Sequence, residues 1–314
     1  MRVVFLGSGA FGLPTLERLA QRHEVVGIVT QPDRPAGRGS KLTPTPIGAW
    51  VAEHLPGVPL LKPKKINEPS VRDPVRSWDC DAWVVIAFGQ KLGQTLLADR
   101  FAVNLHASLL PRWRGAAPIN HAILAGDTET GNSVITLADR MDAGLVLGQS
   151  RRRIDPGQTA GELHDLLAAD GPDLVEDVLR LRMAGSLVGQ EQDESQVTLA
   201  GKLSKEDGWV DFRASADTVR CRINGLSPWP GVSCAFGGET LKLISAEPAD
   251  RVSEQHRPGT IVDPGHGIVA CGDGTAVSLK QVQPAGKKAM DFASFANGRQ
   301  VKAGDVLVGR EVGV

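Results

Sequence analysis

The sequence predicts an α/β protein in two parts: an N-terminal domain built on a parallel sheet, and a C-terminal domain of short strands forming a small β-barrel. Three observations carry this reading. Residues 3–6 are a short apolar run that ends in Gly7-Ser8-Gly9-Ala10-Phe11-Gly12 and leads into a helical repeat, the strand-turn-helix unit of parallel sheets. Ala82-Trp83-Val84-Val85-Ile86-Ala87 is apolar without alternation, as a strand buried on both faces must be. In the last third the pattern changes to β-rich runs broken by Gly237-Gly238, Pro264-Gly265-His266-Gly267 and Gly272-Asp273-Gly274, the turn spacing of a small barrel.

Taken in order, the first strand is followed by a helix with Leu13, Leu16 and Leu19 on one stripe, closing near His23. The turn between them has GxGxxG spacing, and Asp33 follows Gly12 by 21 positions after a second strand over 25–30, the dinucleotide fingerprint. An NAD-dependent enzyme is one reading of that signal. Against it, Pro14 sits just inside the helix, Asp33 lies in the turn Gln31-Pro32-Asp33-Arg34-Pro35, and a tight strand-to-helix turn needs glycines with or without a nucleotide. Pro32, Pro35, Pro44 and Pro46 make residues 32–48 a loop, with Gly37 and Gly39 as hinges and Arg34, Arg38 and Lys41 along it. A long loop beside a strand end is either solvated or an active-site lid.

A helix over 47–53, a third strand over 58–61 and a basic turn with Lys62, Lys64 and Lys65 come next. The buried strand over 82–87 ends at Phe88-Gly89-Gln90, and open parallel sheets place ligands at such C-terminal strand ends. The following strand, 102–105, runs to the same edge. Beyond the turn Gly126–Gly131, a β-rich run over 133–137 leads to Asp139-Arg140-Met141-Asp142-Ala143-Gly144. A helix over 159–183 is apolar at Leu163, Leu166, Leu167, Leu174, Val175, Val178 and Leu179, so His164 on it reads as structural. No strong period persists over 185–204, which places the domain boundary there: a first domain over 1–188, a linker over 189–204 and a second domain over 205–314. A helix over 215–224 precedes the rigid turn Ser227-Pro228-Trp229-Pro230-Gly231.

The 314 residues suffice for two domains, and 35 basic against 36 acidic side chains advertise no polyanionic partner through bulk charge. From Lys205 on, 13 Lys or Arg balance 13 Asp or Glu, so an RNA role for the second domain gets no help from composition. Cys80, Cys221, Cys234 and Cys271 are far apart and lack CxxC spacing, which argues against a zinc site or a disulfide framework. With no signal-peptide pattern at the start and no apolar run of spanning length, the expectation is a cytoplasmic protein without a membrane partner. Tyr is absent, and nothing physical in the sequence accounts for it.

The chemistry concentrates in Val103-Asn104-Leu105-His106 and the residues after it. Side chains two apart on a strand share a face, so an amide donor and an imidazole converge on one spot. That pair suits a reaction in which a carbonyl oxygen gains charge, because Asn donates a neutral hydrogen bond and His can also move a proton. A polar strand end in which His106 caps a loop fits the same residues, and local sequence does not separate the two readings. Asp142 joins the pair as a third candidate, although an Asp shortly before a Gly is commonly a turn former.

The run His106-Ala107-Ser108-Leu109-Leu110-Pro111-Arg112-Trp113-Arg114-Gly115-Ala116-Ala117-Pro118 resembles the active-site segment of the methionyl-tRNA formyltransferases. So do Gln31–Gly39, the turn Leu199–Gly208 and Pro228-Trp229-Pro230-Gly231, and the resemblance spans essentially the whole chain. The chain departs from the family pattern at Thr136-Leu137, where Gln-Met is usual, and at Phe88 and Leu199, where Tyr is usual. The resemblance implies a Rossmann-like N-terminal domain and an OB-like β-barrel that binds tRNA. It implies transfer of the formyl group of 10-formyltetrahydrofolate to the α-amino group of initiator methionyl-tRNA, with no metal, no NAD and no protein partner required. Asn104, His106 and Asp142 would be catalytic, with Asp142 orienting His106. Phe88, Gly89, Ser108, Leu109, Leu110 and Pro111 would hold folate, and Arg38 and Lys41 would contact tRNA. Another enzyme using 10-formyltetrahydrofolate, a purine-pathway formyltransferase or a formyl-folate hydrolase, is the alternative. An RNA-binding protein without catalysis is a third class.

Overall fold

The structure, a computed structural model, describes residues 1–36 and 41–310. Arg38 therefore lies outside the described residues. The first half of the chain runs β1 (Arg2–Gly7), α1 (Leu13–Arg22), β2 (Glu24–Val29), β3 (Arg34–Ala36), β4 (Lys41–Thr43), α2 (Pro46–His54), β5 (Leu60–Leu61), α3 (Pro69–Ser77), β6 (Ala82–Ile86), α4 (Gln94–Leu97), β7 (Ala102–His106), β8 (Arg114–Gly115), α5 (Pro118–Leu124), β9 (Glu129–Thr136), β10 (Val146–Arg153) and α6 (Ala160–Met183). The second half adds β11 (Leu199–Ala200), α7 (Ala216–Gly225), β12 (Val232–Phe236), β13 (Glu239–Pro248), β14 (Ile261–Asp263), β15 (Ile268–Ala270), β16 (Ala276–Pro284), β17 (Met290–Asp291) and α8 (Phe292–Arg299). Two compact units result. Met1–Gly115, Gly131–Arg152 and His164–Leu199 make the first; Ala116–Thr130, Arg153–Leu163 and the described residues from Ala200 on make the second.

In the first unit a seven-stranded sheet has the order β10-β9-β7-β6-β1-β2-β5. Pairing is parallel from β5 through β2, β1 and β6 to β7. It is antiparallel between β7 and β9, so the sheet is mixed rather than wholly parallel. Residue pattern does not encode strand direction, which follows from how the connecting chain returns. β6 lies between β1 and β7 and is buried along its whole length, which accounts for its uninterrupted apolar sequence. Its Trp83, Val85 and the neighbouring Phe88 form one core cluster with Val4, Leu6, Val29 and Leu96.

The glycine turn after β1 is explained by packing. A Cβ on Gly7 would meet the Ile86 carbonyl at 2.8 Å as well as the Phe5 ring, and one on Gly12 would sit 3.1 Å from that ring. Asp33 accepts from Lys62 Nζ at 2.6 Å, and Pro14 occupies the first turn of α1, where a missing N–H costs nothing. The described residues of the stretch 32–48 are more regular than the loop expected from their prolines. β3 and β4 pair antiparallel, Arg34 opposite Thr43 and Pro35 opposite Leu42, and α2 begins at Pro46 with Thr45 Oγ1 accepting from the Gly48 N–H at 2.9 Å. A two-stranded ribbon tolerates proline because neither strand is flanked on its outer side.

In the second unit the antiparallel path is β12-β13-β16-β15-β14, with β17 on β16. Its core gathers Val210, Phe212, Ile223, Leu243, Val277, Leu279, Val282, Phe292 and Leu307. Helix α5 belongs to this unit by contact: Asn120 Nδ2 donates to the Gly225 carbonyl at 2.7 Å, on α7. No paired strand closes the path among the described residues, although single bridges join Ala235 to Val308 and Thr260 to Val306. Among the described residues no helix is long and apolar enough to cross a membrane.

Cys234 and Cys271 lie in the core of the second unit, and burial pushes both thiols up to about 12 from an ordinary value of 9.0. A folded-state value above the unfolded one leaves stability untouched below pH 9.0 and erodes it as pH rises toward about 12. Each thiol then lowers the unfolding free energy by up to about 1.4 kcal/mol per pH unit in that window. Denaturant titrations between pH 8 and 11 should show a shallower alkaline decline for Cys234→Ala than for the parent. Equal slopes would contradict the burial of this thiol.

Candidate active site

β7 carries Asn104 and His106 to the C-terminal edge of the sheet. Asn104 is flanked by Val85 of β6 on one side and Ile135 of β9 on the other, so its position is set by ladders of both directions. The residue is half-buried, and among the described residues no hydrogen bond engages its carboxamide. An amide held by the backbone with its donors uncommitted is a preorganised hydrogen-bond donor.

His106 is 6% exposed. Its Nε2 stands 2.8 Å from the Trp113 carbonyl oxygen, and a carbonyl can only accept, so Nε2 carries the proton. In the neutral ring Nδ1 is then bare. Nδ1 lies 3.7 Å from Asp142 Oδ2, beyond hydrogen-bond range but close enough for the carboxylate to stabilise a positive ring. The hydrogen bond on the imidazole is the one to Trp113, while Asp142 faces the other ring nitrogen at ion-pair distance. Asp142 Oδ2 is itself held by the Gly115 N–H at 2.9 Å.

Backbone conformation singles out the same place. Trp113 has φ +63°, Asp142 φ +52° and Ala87 φ +47°, three of the non-glycine residues in the left-handed region. Such conformations cost about 1–3 kcal/mol each and persist where the surroundings over-determine them. At Trp113 the restraints are visible: its N–H donates to Thr198 Oγ1 at 2.9 Å, and the Arg114 N–H donates to the Thr198 carbonyl at 3.0 Å. At Asp142 the Gly144 backbone approaches Thr136 so closely that a Cβ would overlap the Thr136 carbonyl. Thr136 Oγ1 also accepts from the Leu145 N–H at 2.9 Å, so this departure from the family pattern is committed to the Asp142 loop.

The expected folate residues divide into two groups. Ser108 to Pro111 form a firmly tied wall. Ser108 Oγ donates to the Arg112 carbonyl at 2.7 Å, Ser133 Oγ donates to the Ser108 carbonyl at 2.7 Å and accepts from the Leu110 N–H at 3.1 Å, and Gln149 Nε2 donates to both the Leu110 carbonyl and Ser133 Oγ at 2.9 Å. Leu110 is buried, while Leu109 and Pro111 are half-buried and follow a fixed backbone. Phe88 is different. Its ring is in the core beneath the sheet, and what it offers the surface is a carbonyl that already accepts from Ser8 Oγ at 3.2 Å and Gln31 Nε2 at 3.0 Å. Gly89 beside it has φ +82°, a conformation that favours glycine. Lys41 is exposed on β4.

Sequence reasoning missed several residues that hold this arrangement. Ser133 and Gln149 were invisible because isolated polar residues on strands carry no local signal. Arg114, nearly fully buried, donates to Gln192 and to Glu194, and Arg140 donates to Glu194 at 2.9 and 3.1 Å. Hydrogen bonds first from Arg114 and then from Arg140 hold the Glu194 carboxyl below the usual carboxylate range. Among the described residues no cluster of three or more His, Cys, Asp or Glu could hold a metal ion.

Residues 1–179 match the family model described as "Formyl transferase", and residues 202–300 match "Formyl transferase, C-terminal domain". The chain is 39% identical over 312 residues to the methionyl-tRNA formyltransferase of Geobacter sulfurreducens, covering 98% of this chain and 96% of that protein. It is 42% identical over 308 residues to the same enzyme from Anaeromyxobacter sp., covering 96% of this chain and 98% of that protein. Among solved structures, the sugar 3N-formyl transferase WlaRD, crystallised with dTDP and 5-N-formyl-THF, shares the fold at a TM-score of 0.67 with 12% identity, covering 92% of this chain and 99% of that one. HypX from Aquifex aeolicus in complex with tetrahydrofolic acid does so at 0.64 with 16% identity, covering 99% of this chain and 51% of that one. With a glycine-turn sheet that delivers Asn104 and His106 to one strand end, and with similarity running the length of both domains, this chain belongs to the formyl transferase family.

Proposed function

We propose that the protein transfers the formyl group of 10-formyltetrahydrofolate to the α-amino group of initiator methionyl-tRNA in the cytoplasm. The observation that carries this is a free carboxamide and a bare imidazole nitrogen on one strand end, in a chain similar along its length to methionyl-tRNA formyltransferases. A free α-amino group has a pKa of roughly 7.7–8.0, so part of it is neutral near pH 7 and can attack without a metal. Asn104 would donate to the formyl oxygen as it gains charge. His106 would take the amine proton on Nδ1, the nitrogen that its bond to Trp113 leaves bare, and return it to the departing folate nitrogen. Asp142, 3.7 Å away, would lower the cost of the positive ring in between.

The tied wall of Ser108, Leu109, Leu110 and Pro111 suits a flat ring system, because its backbone cannot collapse into the space a ring needs. Phe88 and Gly89 would contribute through backbone and through the shape of the turn. We assign residues 1–188 to catalysis, 189–204 to the connection and 205–314 to tRNA binding. We read the second sheet as an OB-like barrel: residues 304–308 bond Ala235 on one side and Gly259 and Ile261 on the other, which brings its two edges onto one segment. Arg38 and Lys41 are assigned to tRNA, the arginine because a planar forked donor can fix orientation as well as neutralise phosphate.

A formyl-transfer assay comparing methionyl-tRNA with glycinamide ribonucleotide should show product with the first alone; transfer to the second alone would move the protein to the purine-pathway class. In that assay Asn104→Ala should lower kcat by about two to three orders of magnitude with folate binding little changed. The double variant His106→Ala/Asp142→Ala should cost far less than the product of the single effects, since residues acting as a unit are non-additive. Near-parental turnover in Asn104→Ala would remove its assigned role. For the tRNA contact, Arg38→Ala should depress transfer severely and Arg38→Lys should restore little of it, with folate binding and thermal midpoint unchanged. A lysine variant that performs like the parent would reduce Arg38 to a point charge.

A further inference from the structure

We propose that Gln192 is a positioning residue that clamps the segment carrying Asp142 to the segment carrying Trp113, and so sets the separation of imidazole and carboxylate in the reaction proposed above. Its Nε2 donates to two carbonyls at once, Asp142 O and Gly144 O, each at 2.8 Å. Its Oε1 accepts from Arg114 Nε at 2.9 Å and from Arg114 Nη2 at 2.8 Å. Every hydrogen-bonding site of the amide is therefore used, two donors toward one segment and the oxygen toward the other.

The two segments are those that matter to His106. Arg114 stands between Trp113, whose carbonyl accepts the hydrogen bond from His106 Nε2, and Gly115, whose N–H donates to Asp142 Oδ2. The Asp142–Gly144 turn contains a residue at φ +52° and a glycine pressed onto Thr136, so it has few alternative resting places once its carbonyls are held. Arg114 is fixed independently by Glu194, at 3.0 Å from Nη2. Gln192 thus ties a turn to an anchor that does not depend on Gln192. The residue comes from the connecting stretch after α6, whose part up to Leu199 clusters with the first unit, so the connection also carries a residue that acts on the site.

The decisive variant is Gln192→Glu, compared with Gln192→Ala. A glutamate keeps the side-chain length and can still accept from Arg114, but it has no donor for the Asp142 and Gly144 carbonyls. If Gln192 served only to satisfy Arg114, the glutamate would preserve function. On the positioning account both variants lower kcat by about ten- to a hundredfold, the scale of a small misplacement, while KM for the folate substrate stays within about twofold and Gln192→Glu melts like the parent. Amide hydrogen exchange over residues 139–146, which needs no substrate, should quicken in both. A Gln192→Glu enzyme with parental kcat would overturn the proposal, and so would unchanged exchange in that segment. Quickened exchange in the variants, together with a parent protein that formylates no methionyl-tRNA, would leave the clamp standing and overturn the functional reading instead.

Discussion

The hydrogen bond from His106 Nε2 to the Trp113 carbonyl is the constraint on which the site depends. Because a carbonyl cannot donate, this one contact decides which imidazole nitrogen is bare, and therefore which side of the ring is open to a proton in the reaction we propose. It is obtained by holding a tryptophan at φ +63°, a conformation that is a true outlier for a bulky side chain. Thr198 restrains that residue through its hydroxyl, which accepts from the Trp113 N–H, and holds the next residue through its carbonyl, which accepts from the Arg114 N–H, while the Arg112 guanidinium lies 5.1 Å from the centre of the indole ring. The strain sits beside His106 and is offset by contacts farther along the chain, as a preorganised site requires.

The sheet supplies the other half of the arrangement. Asn104 is locked between a parallel and an antiparallel neighbour, so its amide is aimed by main-chain ladders instead of by side-chain partners. Close backbone approaches at Gly7 and Gly144 let β1, β6 and β9 come near enough for the strand ends and the Asp142 turn to share one edge. The glycine-rich turn that resembles a dinucleotide cradle is in this chain a packing device, with Asp33 engaged by Lys62 and the Gly7 Cβ position taken by Ile86 and Phe5.

Much of this was legible in the residues. The uninterrupted apolar run of β6 announced a doubly covered strand, and the alternation of Asn104 and His106 announced a shared face. What stayed hidden has physical causes. The partner of His106 is a backbone carbonyl, which no residue type signals. Ser133, Gln149 and Gln192 act over long chain separations, and a single polar residue on a strand or in an irregular stretch looks like any solvated one. β10 alternates half-buried and exposed polar positions on the sheet's edge and lacks the apolar run that marks a strand. The ribbon of β3 and β4 was masked by prolines that an isolated pair of strands accommodates. Phe88 follows the end of β6, and side-chain direction puts its ring into the core, which residue type alone does not reveal.

The protonation pattern of His106 is the point at which the account can be tested without reference to any substrate. Nitrogen-15 NMR of histidine-labelled protein, assigned by loss of one signal pair in His106→Gln, distinguishes a protonated ring nitrogen from a bare one by chemical shift. With the ring neutral, the proton should reside on Nε2 and remain protected from exchange, while Nδ1 reports as unprotonated. A neutral His106 carrying its proton on Nδ1 would mean that Trp113 does not orient the ring, and the assignment of proton transfer to Nδ1 would be wrong.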